Sequence, residues 1–296
     1  MILTGVFAPL PTPFDERDQV DAARLKAALS RWIASPLTGF VMLGTSGESG
    51  LLDDRECDRV IDLARGAVPR SRPLVAGTGR ESTQATIRAT TRAADLGVDA
   101  VLVRTPSFFK SRMTGEALYD YYRAVADAAP VPVVLYNFSA ATGVNLAPDT
   151  VARLADHPNI VGIKESGSDI AQICDLVALM SPGFHVLAGS ASTFHAALSA
   201  GVAGGILALA GLLPDACVRL FDLAAENRHE EAKTLQRQLL PVARLISTEY
   251  GVPGLKAALK ILGYDVGEPR PPLVPVSNAA NNMLRQALAR FEEVRA

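Results

Sequence analysis

The chain is 296 residues long, with 29 basic against 31 acidic residues, a formal net charge of −2, and 49% hydrophobic residues. That balance excludes a disordered acidic or basic chain, leaves no electrostatic footprint for nucleic acid, and supplies enough apolar side chain for a large core. The length fits two average domains or one large α/β barrel.

The first residues, MILTGVFAPLPTPF, hold three closely spaced prolines and no charged leader, so they do not read as a signal peptide. Short, nearly all-apolar runs then recur at residues 5–8, 39–43, 74–76, 100–103, 131–135, 160–164, 185–188 and 204–209. Amphipathic stretches with helical spacing lie between them, as at 22–33, 53–67, 83–96 and 116–128. Runs without polar alternation suit parallel strands covered on both faces. Eight strand–helix units in series predict a (β/α)8 TIM barrel over residues 1–225, carrying the active site. After the eighth run only helices follow, at about 214–226, 229–249, 253–262 and 279–294. The region 226–296 is therefore expected to be a C-terminal helical extension. The segment 196–213 is uncharged for 18 residues, the minimum for a membrane span. Its glycines fit a helix end, a turn and a buried strand instead, so no membrane partner is expected. Cys57, Cys174 and Cys217 are widely spaced and form no CxxC pair, which points to a reducing, cytoplasmic setting without disulfides. The four histidines show no metal-ligand spacing, so no metal is called for. The glycines of Gly44-Thr45-Ser46-Gly47-Glu48-Ser49-Gly50 do not match the GxGxxG dinucleotide pattern, and no P-loop is present.

In such a barrel the chemistry sits at the C-terminal strand ends. Only six of the 29 basic residues are lysines, and Lys164 alone caps an apolar strand run. Alternation along the strand predicts that Ile160, Gly162 and Lys164 share the interior face, with Gly162 leaving room beneath the lysine stem and Glu165 turned away. In a low-dielectric pocket without a carboxylate partner, such a lysine is freed as a nucleophile. Paired to an acid at the barrel mouth, it is a structural cation; the sequence admits both. Tyr136, at the end of the fifth run, suits either a proton relay or a core tyrosine with a tethered hydroxyl. Thr45 and Ser46 sit in a glycine-flanked turn that is either an anion nest or an ordinary capped turn. Together, the three placements suit a Schiff-base enzyme acting on a 2-oxo acid. The turn would hold the carboxylate, the lysine would condense with the ketone, and the iminium would serve as electron sink.

These residues resemble the dihydrodipicolinate synthase/N-acetylneuraminate lyase family of pyruvate-dependent class I aldolases. The matching stretches are Gly44-Thr45-Ser46-Gly47-Glu48, Tyr136-Asn137 with Thr142-Gly143, and Val161-Gly162-Ile163-Lys164-Glu165-Ser166. The resemblance runs from about residue 4 to the C-terminal helices. It implies a Schiff base on Lys164, proton relay through Tyr136, contacts from Thr45 and Ser46, and a pocket lined by the backbone of Gly189 and Ile206. It also implies dimers or tetramers, with pyruvate and a small aldehyde or 2-oxo acid as partners and no metal or organic cofactor.

Two departures bear on the reaction. Ala141 stands where dihydrodipicolinate synthases carry a carboxylate-clamping arginine, and Phe108 stands where they supply a relay tyrosine. Other stretches, including residues 76–86 and 251–256, resemble the 4-hydroxy-2-oxoglutarate aldolase branch, in which Ser166 also belongs to the pocket. The leading expectation is therefore retro-aldol cleavage of a 4-hydroxy-2-oxo acid to pyruvate and an aldehyde such as glyoxylate. The alternatives are 4-hydroxy-tetrahydrodipicolinate (dihydrodipicolinate) synthase, a 2-keto-3-deoxy sugar-acid aldolase, a phosphate-binding barrel and a non-catalytic pyruvate-binding barrel.

Overall fold

The computed structural model describes residues 3–295, with side chains described through residue 292. Eight parallel strands close into a barrel in chain order. They are β1 (Gly5–Pro9), β2 (Gly39–Met42), β3 (Leu74–Gly77), β4 (Ala100–Arg104), β5 (Val133–Asn137), β6 (Ile160–Glu165), β7 (His185–Ala188) and β8 (Gly204–Ile206). The last strand closes on the first through the pairs Gly5↔Gly204 and Phe7↔Ile206.

Strand alternation divides the apolar side chains between two cores. Phe7, Val41, Leu102, Val134, Leu187 and Ile206 fill the barrel interior. Their neighbours Val6, Ala8, Phe40, Met42, Val101 and Val103 face outward, into the layer shared with the helices. Helix starts are fixed locally: Asp21 accepts from the N–H groups of Ala23 and Arg24, and Asp53 and Glu56 form a reciprocal capping box.

The eighth run was expected to be strand as far as residue 209, but β8 stops at Ile206. The N–H of Leu207 still reaches the Phe7 carbonyl at 3.0 Å, after which Ala208–Leu212 coils into a helix. A short apolar run does not by itself separate strand from buried helix, and Leu-Ala-Leu-Ala favours helix. The fifth strand begins at Val133 rather than 131, because Pro132 has no N–H for the ladder. The uncharged segment 196–213 resolves into the end of the helix Phe194–Ala200, β8 and that last short helix. Among the described residues no helix is long and apolar enough to cross a membrane.

Within β6 the expected alternation fails at its start. Val133 pairs with Ile160, yet Val134 pairs with Gly162, so Val161 is an extra residue. The bulge turns Ile160 into the helix-facing core and sets Val161 against the barrel interior. Gly162 also has another reason for being small. A Cβ there would lie 2.4 Å from the His185 carbonyl oxygen, so glycine lets β7 approach, rather than making room beneath the lysine.

After β8 come the helix Pro214–Ala225, packed against β1, and then the helices His229–Arg244, Gly251–Ile261 and Asn278–Arg295. The helix expected over 229–249 keeps α geometry only to Arg244. Pro241 lies within it, and Leu245–Glu249 widens into a π turn, closed by the Tyr250 N–H on the Leu245 carbonyl at 3.1 Å.

Candidate active site

At the C-terminal ends of the strands lies a cavity of about 500 Å³. Thr45, Ser46, Tyr136, Lys164, Ser166 and Gly189 all line it. The strand register explains the convergence, since Tyr136, Lys164 and Leu187 are paired across β5, β6 and β7. Residues two apart on each strand then point into the barrel together.

Lys164 is only 4% exposed, and its Nζ lies 4.3 Å from the centroid of the Tyr136 ring. Among the described residues it forms no ion pair with an acid. Its neighbour Glu165 is turned away, as expected, and fully engaged behind the strand. That carboxylate accepts from Asn137 Nδ2 at 2.7 Å, Gln172 Nε2 at 2.8 Å and the Gly167 N–H at 2.6 Å. Of the two readings of this lysine, the ion-paired structural cation does not fit.

The Tyr136 hydroxyl meets Thr45 Oγ1 at 3.1 Å, which links the ring that lies against Lys164 to the turn after β2. In that turn the N–H groups of Gly47 and Glu48 close back on the carbonyls of Gly44 and Thr45. Those of Thr45 and Ser46 donate to no other described residue. Two unspent N–H groups and two hydroxyls at a cavity wall suit a carboxylate. Ser166 Oγ is buried against the same cavity with no partner of its own. Ile206 lies one layer lower: its side chain packs in the barrel interior, and Ala208 and Leu209 form the wall at that strand end.

Part of the wall escaped sequence reasoning. Ile246, Ser247 and Thr248 of the π turn, and Gly251, Val252 and Leu255 of the next helix, close the cavity from the C-terminal extension. A second buried lysine was missed as well. Lys256 is fully buried but pairs with Glu48 at 2.6 Å, so it is neutralised where Lys164 is not. Among the described residues, no group of three or more His, Cys, Asp or Glu side chains is placed to hold a metal ion.

The model of the dihydrodipicolinate synthetase family matches residues 2–291. The chain belongs to this family. It is thus an enzyme of the class I aldolase type. A 4-hydroxy-tetrahydrodipicolinate synthase of an Exiguobacterium species is 37% identical over 99% of this chain and 100% of its own length. A probable mitochondrial 4-hydroxy-2-oxoglutarate aldolase of Emericella nidulans is 34% identical over 99% of this chain and 96% of its own. Among solved structures, the chloride-inhibited dihydrodipicolinate synthase of Acinetobacter baumannii, complexed with pyruvate, superposes with a TM-score of 0.94 at 31% identity, covering 98% of this chain and 99% of that one.

Proposed function

We propose that the protein is a pyruvate-dependent, Schiff-base-forming aldolase or lyase with Lys164 as nucleophile. The observation that carries this reading is a buried lysine without an acid partner, beside a Tyr136–Thr45 hydroxyl chain and a turn with free N–H groups. The Lys164 amine adds to the ketone carbon of pyruvate, the hydroxyl leaves as water with the Tyr136 proton, and the Tyr136 phenolate then takes a methyl proton from the iminium to give the enamine. The enamine carbon attacks an aldehyde, the new alkoxide takes a proton from Tyr136, and hydrolysis returns the amine. In the cleavage direction Tyr136 takes the proton from the C4 hydroxyl as the C3–C4 electron pair flows into the iminium. Thr45 and Ser46, with Ser166 and the Gly189 backbone, hold the pyruvate carboxylate.

The names of the similar proteins favour condensation of pyruvate with aspartate semialdehyde, the 4-hydroxy-tetrahydrodipicolinate synthase reaction, over the cleavage expected from the sequence. Cleavage of a 4-hydroxy-2-oxo acid remains the second reading, supported by one feature. Ala141 lies in the cavity wall, and among the described residues Lys164 is the only charged one of that wall. Turnover on pyruvate with aspartate semialdehyde, on 4-hydroxy-2-oxoglutarate and on 2-keto-3-deoxygluconate separates these readings. The fastest substrate identifies the reaction, and semialdehyde condensation as the fastest would overturn the argument from Ala141. We further propose a homo-oligomer, since Phe108 and Phe109 stand 78% and 66% exposed as an edge-to-face pair; light scattering in solution tests it.

A further inference from the structure

We propose that Lys110 binds the carboxylate of the aldehyde partner and so sets the preference for charged over neutral aldehydes; this rests on the Schiff-base reading above. Lys110 opens the short turn Lys110–Arg112, which follows the loop after β4. Its side chain lies across Gly143, the residue ending the helical turn Ser139–Thr142, and Ala140 and Ala141 of that turn are cavity wall. A Cβ at Gly143 would stand 2.9 Å from Lys110 Cδ and 3.3 Å from Nζ, so glycine at φ +68° leaves the lane in which the lysine lies.

Three observations point to an anionic ligand there. Among the described residues Lys164 is the only charged one lining the cavity, and once it is an iminium its charge is spent on the pyruvate-derived carbons. A second carboxylate on the substrate therefore meets no countercharge inside the wall. At the end of β4 Arg104 is held by Glu81 at 2.9 Å, and after β3 Arg80 faces Asp54. Lys110, by contrast, makes no ion pair among the described residues and is exposed to solvent. With Gly143 beside it and only the methyl groups of Ala140 and Ala141 in the adjoining cavity wall, the four-carbon stem can carry the ammonium toward the cavity edge. The competing role is structural: a lysine beside the last carbonyls of the turn 139–142 would stabilise that turn alone.

The experiment is aldol addition with pyruvate as donor. Glyoxylate and aspartate semialdehyde are compared with glycolaldehyde and glyceraldehyde, in the wild type and in Lys110→Ala, Lys110→Gln and Lys110→Arg. The wild type should prefer the carboxylated aldehydes. In the Ala and Gln variants the ratio of kcat/KM for carboxylated over neutral aldehydes should fall about 10- to 100-fold, chiefly through KM, as loss of a charge-assisted hydrogen bond dictates. Lys110→Arg should restore most of that ratio. A ratio that does not move, as when both aldehyde classes fall together because the turn is disordered, would overturn the proposal; so would a wild type with no preference for carboxylated aldehydes. Borohydride trapping of pyruvate by the wild type is run alongside. Without an adduct the Schiff-base reading itself fails, whereas an adduct with an unmoved ratio removes Lys110 alone.

Discussion

Glu48 and Lys256 form an ion pair at 2.6 Å in which both side chains are buried, 208 residues apart in sequence. Glu48 ends the turn that carries Thr45 and Ser46, with left-handed backbone at φ +56°, and its second oxygen accepts the Arg270 N–H at 2.8 Å. Lys256 lies on the helix Gly251–Ile261, whose first residues wall the cavity, and Nζ also donates to the Glu268 carbonyl at 2.9 Å. Burial pushes the Lys256 amine down from its ordinary value, and the Glu48 carboxylate works against that shift. The pair thus fixes the turn after β2 to the C-terminal extension on the far side of the same cavity.

Removing one partner should therefore cost far more than removing both. Lys256→Met leaves Glu48 buried and uncompensated and should destabilise the fold by about 3–5 kcal/mol. The double variant Glu48→Gln/Lys256→Met should recover much of that loss. Urea unfolding of both single variants and the double variant checks it; a double-variant loss equal to the sum of the single losses would show that the pair is not coupled.

Tyr136→Phe keeps the ring beside Lys164 but removes the hydroxyl that meets Thr45. Turnover should fall about 10²–10⁴-fold while pyruvate is still trapped on Lys164. Thr45→Val should have a smaller effect in the same direction. Steady-state kinetics with borohydride trapping separate these outcomes, and full activity in Tyr136→Phe would remove the relay.

The barrel and much of the cavity were legible in the sequence for a physical reason. Parallel strands covered on both faces leave uninterrupted apolar runs, and the residues just after such runs are the catalytic end of the barrel. Lys164, Tyr136, Thr45 and Ser46 could therefore be singled out by position, Ser166 and Gly189 came from the resemblance, and the cavity brings all six together. What was illegible depends on contacts between distant segments. The bulge at Val161 is set by pairing with β5, and the need for glycine at 162 comes from the carbonyl of His185 on β7. Leu-Ala-Leu-Ala after β8 carries no local mark that says strand or helix. The wall supplied by Ser247, Thr248 and Val252 follows from how the C-terminal helices dock, which their periodicity does not encode. Lys256 read as one more helical lysine because its partner lies in another part of the chain.

Acid should weaken a second clamp of the C-terminal segment. Arg270 forks onto Glu56 through Nη2–Oε1 at 2.6 Å and Nη1–Oε2 at 2.8 Å, and that hydrogen bonding holds the Glu56 carboxyl below its ordinary value of 4.5. A carboxylate depressed in the folded state stabilises the fold above its unfolded pKa, and that contribution disappears as the pH falls through the folded value. Glu56→Gln should thus cost about 1–3 kcal/mol at pH 7 and less at a pH below the ordinary value of 4.5. Unfolding free energies at the two pH values decide it; a gap that widens on acidification would contradict the assignment.

The three cysteines should differ sharply toward alkylation. Cys174 is exposed, whereas burial pushes the Cys57 thiol up to about 11 and Cys217 well above its usual value. At pH 8 iodoacetamide should label Cys174 first, with the other two reacting only on unfolding. Peptide mapping over time reads this directly, and early labelling of Cys57 would contradict its burial.

The account turns on Lys164 as the nucleophile, and the most direct measurement is incubation with pyruvate, reduction with borohydride and peptide mapping by mass spectrometry. The predicted result is a single reduced adduct on Lys164, absent from Lys164→Arg, with Lys256 unlabelled because it is buried outside the cavity lining in its ion pair with Glu48. No adduct, or an adduct on any other lysine, would contradict the account.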